Sequence, residues 1–368
     1  MNVFVRPAIW LFPWLLASGA PSAEIRGVWV DRAPLASRDS IARMLEQLKD
    51  ANFNAVFVNV WSRGYPLWRS EVFAKHVGVF TDPAYEGRDV LAEVMEEAQP
   101  RGLAVIPWVE YGFVIGYTGG KAPLVEAHPD WLARRKDGSA EFPWAGTTRS
   151  WWIAHAHPEG RQFLLDMMRE LAANYDVPAI QFDRARYPEL DCGYDQTTKA
   201  IYAAAHGGAT PPEDERDPEW MRWRALQINT FVAELHRTIK SANWRILSTN
   251  APIVYNFSYV NFLQDYPAWM RAGSLDFVSP QVYRSDAESF IRELDRQIAA
   301  LGGESSRLVP GIDVTNSGAA VLIRSIEACR ERKLPGFVIW YYGGLVQREA
   351  FDRLKETVLQ EPAPLPWK

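Results

Sequence analysis

The sequence predicts an α/β fold, a (β/α)8 TIM barrel with a loop subdomain inserted after the third strand. Three observations carry this. Eight short apolar runs alternate with eight helical patterns along the chain. The runs are nearly continuous in apolar residues, as strands buried on both faces require. Charged, amide or aromatic residues follow the runs directly, which is how the C-terminal mouth of such a barrel is furnished. A doubly wound open sheet is the competing architecture. It wants a Gly-rich phosphate turn after a strand, and neither Gly119-Gly120 nor Gly302-Gly303 stands in that context.

The elements follow in order. Arg26–Val30 is the first strand, and Ile41, Met44, Leu45 and Leu48 then recur at a helical period. Asn54–Trp61 is the second strand, and Asp89–Ala98 the second helix, closed by Gly102. Leu103–Val109 is the third strand. From Tyr111 to Gly160 no long periodic helix occurs, yet Trp131, Trp144, Trp151 and Trp152 argue against disorder. Residues 111–160 are therefore expected to form an inserted region that partly covers the mouth, with a hairpin turning at Asp137-Gly138. Arg161–Tyr175 is a helix, and Ala179–Phe182 the fourth strand. A helix is expected over Pro218–Ala242, then a strand at Arg245–Thr249 and a helix over Phe262–Ala272. Leu275–Tyr283, Arg307–Val314 and Gly336–Gly343 are the last three strands, with helices over Ala287–Leu301, Ala319–Arg332 and Glu349–Leu359. Pro362, Pro364 and Pro366 mark residues 361–368 as a frayed tail, so the barrel spans 24–360.

Residues 1–23 read as a cleaved signal peptide: Arg6, an apolar run from Ala8 to Ala17 too short to span a bilayer, then small residues at Ser18 and Ala20. A periplasmic or secreted protein without a membrane span in its mature form is expected. The net charge of −5 argues against a nucleic-acid partner. Two cysteines, Cys192 and Cys329, make neither a disulfide framework nor a metal cluster, and are expected unpaired. His155-Ala156-His157 stands before a helix start rather than at a strand end, so no metal site and no cofactor are expected.

Four acids end predicted strands: Asp31, Glu110, Asp183 and Asp313. A single carboxylate there is most often an ion-paired or capping residue, but several on one mouth suggest chemistry. Hydrolysis of a glycosidic bond needs two carboxyl groups, one giving a proton and one acting as base or nucleophile. Asp183 and Glu110 end neighbouring strands about 4.8 Å apart and are the candidate catalytic pair. Asp313 is read as structural or substrate-positioning, as is Asp31. Substrate contacts are expected from Arg184, Arg186, Tyr187, Trp61, Arg63, Trp108, Tyr111, Asn250, Gln281, Tyr283, Asp313, Trp340 and Tyr341. The arginines suit acidic or hydroxyl-rich groups. The tryptophans, including Trp29, either stack on sugar or fill the top of the barrel.

Several stretches resemble the glycosyl-hydrolase-like family 10. They are Arg26–Val30, Arg101-Gly102-Leu103 leading into Pro107–Phe113, His128–Trp131, Phe182–Pro188 and Asp276–Tyr283, all in order. The resemblance implies a (β/α)8 fold, export to the bacterial envelope and action on glycan chains, peptidoglycan among them. Many relatives carry a second Asp after the one matching Asp183, whereas this chain has Arg184. That departure moves the second acid to Glu110. The expected activity is an exported glycoside hydrolase using paired carboxylates, with an oligo- or polysaccharide as its partner. A non-catalytic glycan-binding protein on the same scaffold is the alternative.

Overall fold

A computed structural model describes residues 22–303 and 305–367, so the expected leader lies outside the described residues except for Ser22 and Ala23. Eight parallel strands run in the order β6-β5-β4-β3-β2-β1-β8-β7. They are β1 (Ile25–Val30), β2 (Ala55–Asn59), β3 (Ala104–Val109), β4 (Ala179–Phe182), β5 (Leu247–Asn250), β6 (Phe277–Val278), β7 (Gly311–Asp313) and β8 (Gly336–Trp340). Parallel bridges from Val278 to Leu308 and from Gln281 to Gly311 join β6 to β7 and close the ring. The protein is thus an α/β TIM barrel, as expected.

Around it lie α1 (Arg38–Asp50), α2 (Val90–Ala98), α3 (Pro158–Asn174), α4 (Pro218–Ala242), α5 (Tyr266–Arg271), α6 (Ala287–Ala300), α7 (Ala319–Glu331) and α8 (Ala350–Glu356). Their starts are chemically marked. Ser37 and Ser40 form a capping box on α1, and Asp89, Asp217, Asp265 and Asp286 accept N-terminal amides of α2, α4, α5 and α6. Ile41, Met44, Leu45 and Leu48 of α1 are all fully buried, each contributing about 1.5–3 kcal/mol of burial.

Three local expectations change. The helix expected at 262–272 is only α5 (Tyr266–Arg271), because a separate helix, Phe257–Phe262, ends at Leu263 with φ 56° and the chain restarts at Asp265 with Pro267 in the first turn. The chain does turn at Asp137-Gly138, where the Gly138 amide donates to Arg135 O. However, the inserted region pairs Val114–Tyr117, Arg149–Trp152 and Phe142–Pro143 into its own antiparallel sheet. Nor is the tail frayed up to residue 367. Asn54 Nδ2 donates to Ala363 O, Leu365 is buried, and Trp367 stacks on Phe277 at 6.0 Å. The last helix already ends at Glu356, and the extended chain beyond it buries Ala363 and Leu365 under the barrel floor.

Inside the ring, every second residue of each strand points inward. Ile25 and Trp29, Ala55 and Phe57, Ala104, Ile106 and Trp108, Ala179, Val309 and Val338 form one interior cluster. Trp29 fits because Gly311 has no side chain: a Cβ there would stand 2.8 Å from the indole. The same alternation, carried one step past the strands, fixes what reaches the mouth.

Candidate active site

Trp108 and Gln181 pair across β3 and β4, as do Val109 and Phe182. The next residues, Glu110 and Asp183, therefore stand level on adjacent strands, each two positions beyond an inward residue. The Asp183 amide donates to Val109 O at 3.1 Å, carrying the pairing to the rim. Behind it, Gly112 adopts φ 49°, and a Cβ there would lie 2.1 Å from Asp183 O. Only glycine lets this segment seat the Asp183 backbone.

Asp183 is 4% exposed. Its Oδ1 accepts the Arg184 amide at 2.5 Å and its Oδ2 accepts Trp108 Nε1 at 3.2 Å. Burial pushes its pKa above the ordinary carboxylate value, opposed by the Arg184 charge and amide, Arg186 and the Trp108 indole. Glu110 accepts Arg184 Nη2 at 3.2 Å on Oε1 and Asn59 Nδ2 on Oε2. Burial raises its pKa to about 7; Arg184 and Asn59 oppose this, while Asp183 and Asp31 add to it. Asn59 Oδ1 is buried without a partner. Rotating that amide would let Oδ1 accept a hydrogen bond from the O–H of neutral Glu110, so Asn59 can serve both protonation states.

Arg184 is the hub of the pair, in left-handed backbone at φ 45°. Its guanidinium lies 5.5 Å from the Tyr111 ring and 4.6 Å from that of Trp144, which the inserted sheet region brings to the mouth. Tyr111 and Trp144 themselves approach to 5.0 Å. Burial and the nearby Glu110 charge raise the Tyr111 hydroxyl to about 12. Arg186 packs on Phe262 at 4.8 Å and Trp152 at 5.8 Å; burial and Arg184 push its pKa down to about 10. Trp340 and Tyr283, both half-buried, form the opposite wall, whereas Trp108, expected to touch substrate, is 2% exposed and packs in the barrel interior beneath Asp183. Trp108 and Trp340 stand 5.7 Å apart, and Trp340 and Tyr283 stack at 6.1 Å. Burial and the charges of Asp183 and Asp313 lift the Tyr283 hydroxyl well above its ordinary value. Tyr341 lies 5.2 Å from Trp340, and Arg63 is exposed at the tip of the Trp61–Pro66 hairpin.

Four further expected contacts are placed elsewhere. Trp61 is 1% exposed and packs on Phe73 and Phe163 outside the barrel, because it falls past the inward alternation of β2. Tyr187 is likewise 1% exposed, stacked on His155 at 3.9 Å. Asn250 is buried and donates to Phe182 O, bracing β4. Asp313 is occupied in its own loop: Oδ1 accepts Thr315 N and Oγ1 at 2.7 and 2.6 Å, and Oδ2 accepts Asn316 Nδ2 at 2.7 Å. Gln281 remains at the rim, with Nε2 donating to Ala251 O at 2.9 Å. Asn59 and Trp144 were not singled out for the site. Asn59 is two residues past inward Phe57, so the pleat alone could have found it; nothing local marks Trp144.

His155 bonds through Nε2 to Arg186 O at 2.9 Å and is held neutral by burial, at about 3, while His157 caps α3. Among the described residues, no three of His, Cys, Asp and Glu converge as metal ligands. Cys192 and Cys329 are buried free thiols. No described helix is long and apolar enough to cross a membrane.

A closed parallel barrel with two carboxyl groups on adjacent strands at its C-terminal mouth defines the class of fold: a TIM barrel, the fold of the glycoside hydrolases it resembles. The chain belongs to the family Glycosyl hydrolase-like 10, whose model matches residues 24–321. It is 24% identical over 311 residues to Glycosyl hydrolase YngK of Bacillus subtilis, covering 73% of this chain and 56% of that protein. It is 23% identical over 315 residues to Glycosyl hydrolase DigH of Escherichia coli K12, covering 71% and 66%. The chain thus spans less than two thirds of the length of either relative. In fold it resembles the PgaB (BpsB) glycoside hydrolase domain from Bordetella bronchiseptica, with a TM-score of 0.67 and 14% identity over 90% of this chain and 98% of that domain.

Proposed function

We propose that the protein hydrolyses glycosidic bonds within a bacterial envelope polysaccharide, peptidoglycan glycan strands being the favoured substrate, outside the cytoplasm. The observation that carries this is the level placement of Glu110 and Asp183 on adjacent strands in unlike surroundings. Glu110, its pKa raised to about 7, keeps its proton below that pH and acts as general acid on the leaving oxygen. Asp183, fixed by the Arg184 amide and the Trp108 indole, acts as nucleophile or base at the anomeric carbon. As the C–O bond breaks, the proton of Glu110 passes to the departing oxygen. In one course a water deprotonated by Asp183 forms the new bond to the anomeric carbon; in the other Asp183 forms a glycosyl ester there, and a water deprotonated by the now ionised Glu110 displaces Asp183 and leaves the new reducing end. Arg184 neutralises the charge left on Glu110 at 3.2 Å. Membership of a glycosyl hydrolase-like family and the names of the relatives support the same reading.

The test uses glycan strands stripped of peptides, intact sacculi and a polysaccharide panel. Wild type should release new reducing ends, and Asp183→Asn should lose at least about a thousandfold of that rate with an unchanged melting temperature. Full activity in Asp183→Asn would remove the proposal. Saccharide binding without turnover by wild type would assign the mouth to recognition alone.

A further inference from the structure

A cleft of about 740 Å³ leaves the mouth beside β6, within the range of about 300–1,000 Å³ typical of small-molecule sites. Its floor includes Gln281 and Tyr283, and its outer wall is the segment Ile253–Phe257 after β5. Arg284 and Arg296 face it from the far side. We infer that this cleft is a second saccharide subsite, continuous with the catalytic mouth, which makes the protein act on glycan chains longer than a disaccharide. The inference rests on the reading of the mouth as a glycan site and adds where the flanking sugars lie.

Continuity is the first argument. Trp108 donates to Asp183, Trp108 meets Trp340 at 5.7 Å, and Trp340 stacks on Tyr283 at 6.1 Å. Tyr283 is therefore both the rear wall of the mouth and the entrance of the cleft.

The second argument is the chemistry of the walls. Phe257 is 55% exposed on the mouth face. The other large aromatic so exposed among the described residues is Trp244, which precedes β5 and lies at the opposite end. A flat apolar ring beside free polar groups is what a pyranose, with its apolar face and hydroxyl edge, demands. Arg296 is 71% exposed and, among the described residues, tethered at 3.3 Å to Glu293, so its donors face hydroxyl oxygens in the cleft.

The third is preorganisation. Gln297 is fully buried and grips Tyr255 from both sides: Tyr255 N donates to Oε1 at 2.8 Å and Nε2 donates to Tyr255 O at 2.8 Å. Tyr266 Oη adds a third bond to the same amide at 2.5 Å. Arg284 is held by Glu293 at 2.9 Å. Backbone next to Phe257 is thus fixed before any ligand arrives, which lowers the ordering cost of binding.

The test separates this subsite from hydrolysis itself. Peptide-free glycan strands are fractionated into di-, tetra- and hexasaccharides. Affinity for Asp183→Asn protein is measured by calorimetry, and kcat/KM for the active enzyme. Phe257→Ala removes the platform and Ala300→Trp fills the cleft from α6. Affinity should rise at least about tenfold from di- to hexasaccharide in the parent, and both variants should abolish that rise while leaving the disaccharide unchanged. Equal length dependence in parent and variants overturns the inference, as does a parent with no length dependence or no binding. Length-dependent binding by a protein with no turnover would keep the subsite and sink the hydrolase reading instead.

Discussion

Glu110 is the residue on which the proton bookkeeping turns. Its pKa stands near 7 against an ordinary 4.5, first because the carboxyl is buried and then because Asp183 and Asp31 repel its charge. The folded state therefore binds this proton more tightly than the unfolded chain does. The associated stability is complete below pH 4.5 and is lost as pH rises through about 7, a change on the order of 3 kcal/mol. Activity should share the limb, since the acid form must be present: kcat/KM should fall tenfold per pH unit above about 7. Glu110→Gln should cost about 10²–10⁴ in rate, flatten the residual profile and raise the melting temperature at pH 8 but not at pH 4. Glutamine can keep the Arg184 bond and, with Asn59 turned over, give Nε2–H to the orphaned Oδ1. Two further variants move the limb in opposite directions. Arg184→Gln removes the largest charge lowering this pKa and should shift the limb to higher pH. Asp183→Asn removes a charge raising it, so the Glu110 carboxyl should titrate at lower pH by carbon NMR. A limb that stays put in Arg184→Gln, or survives in Glu110→Gln, would refute Glu110 as the acid.

Gly112→Ala should be damaging without touching a ligand. Its φ of 49° and a clash at 2.1 Å with Asp183 O predict a loss of about 1–3 kcal/mol in urea unfolding and at least a tenfold fall in kcat, while a similar variant at open Gly138 should leave kcat unchanged. Trp108→Phe keeps a ring against Trp29 and Trp340 but deletes the indole donor to Asp183. Without that donor the Asp183 pKa climbs further, so the acidic limb of kcat/KM should move to higher pH; an unmoved limb would show that the indole does not tune this carboxyl.

The fold was legible because β-strand pleat and helical period are local signals repeated eight times, and each error was absorbed by the others. The site was legible only as far as the same pleat reached. Asp183 and Glu110 each continue an inward register, Gln181 to Asp183 and Trp108 to Glu110, and stand together. Trp61 and Tyr187 were drawn in by nearness in sequence to a strand end, but past the last ladder bond the chain no longer alternates, and both side chains turned into packing. Asn250 and Asp313 do stand at strand ends, yet the Phe182 carbonyl of neighbouring β4 claims Asn250 and its own loop claims Asp313. Trp144 could not be found locally at all, since its place over Arg184 depends on a separate three-stranded sheet folding across the rim. That contact bears on the departure at Arg184. A guanidinium with Glu110 on one side and two aromatic faces on another has no room to be a second acid's substitute. It is held beside Glu110, and under the proposed mechanism it offsets the charge that Glu110 acquires when its proton leaves, with Glu110 on the neighbouring strand as the second carboxyl.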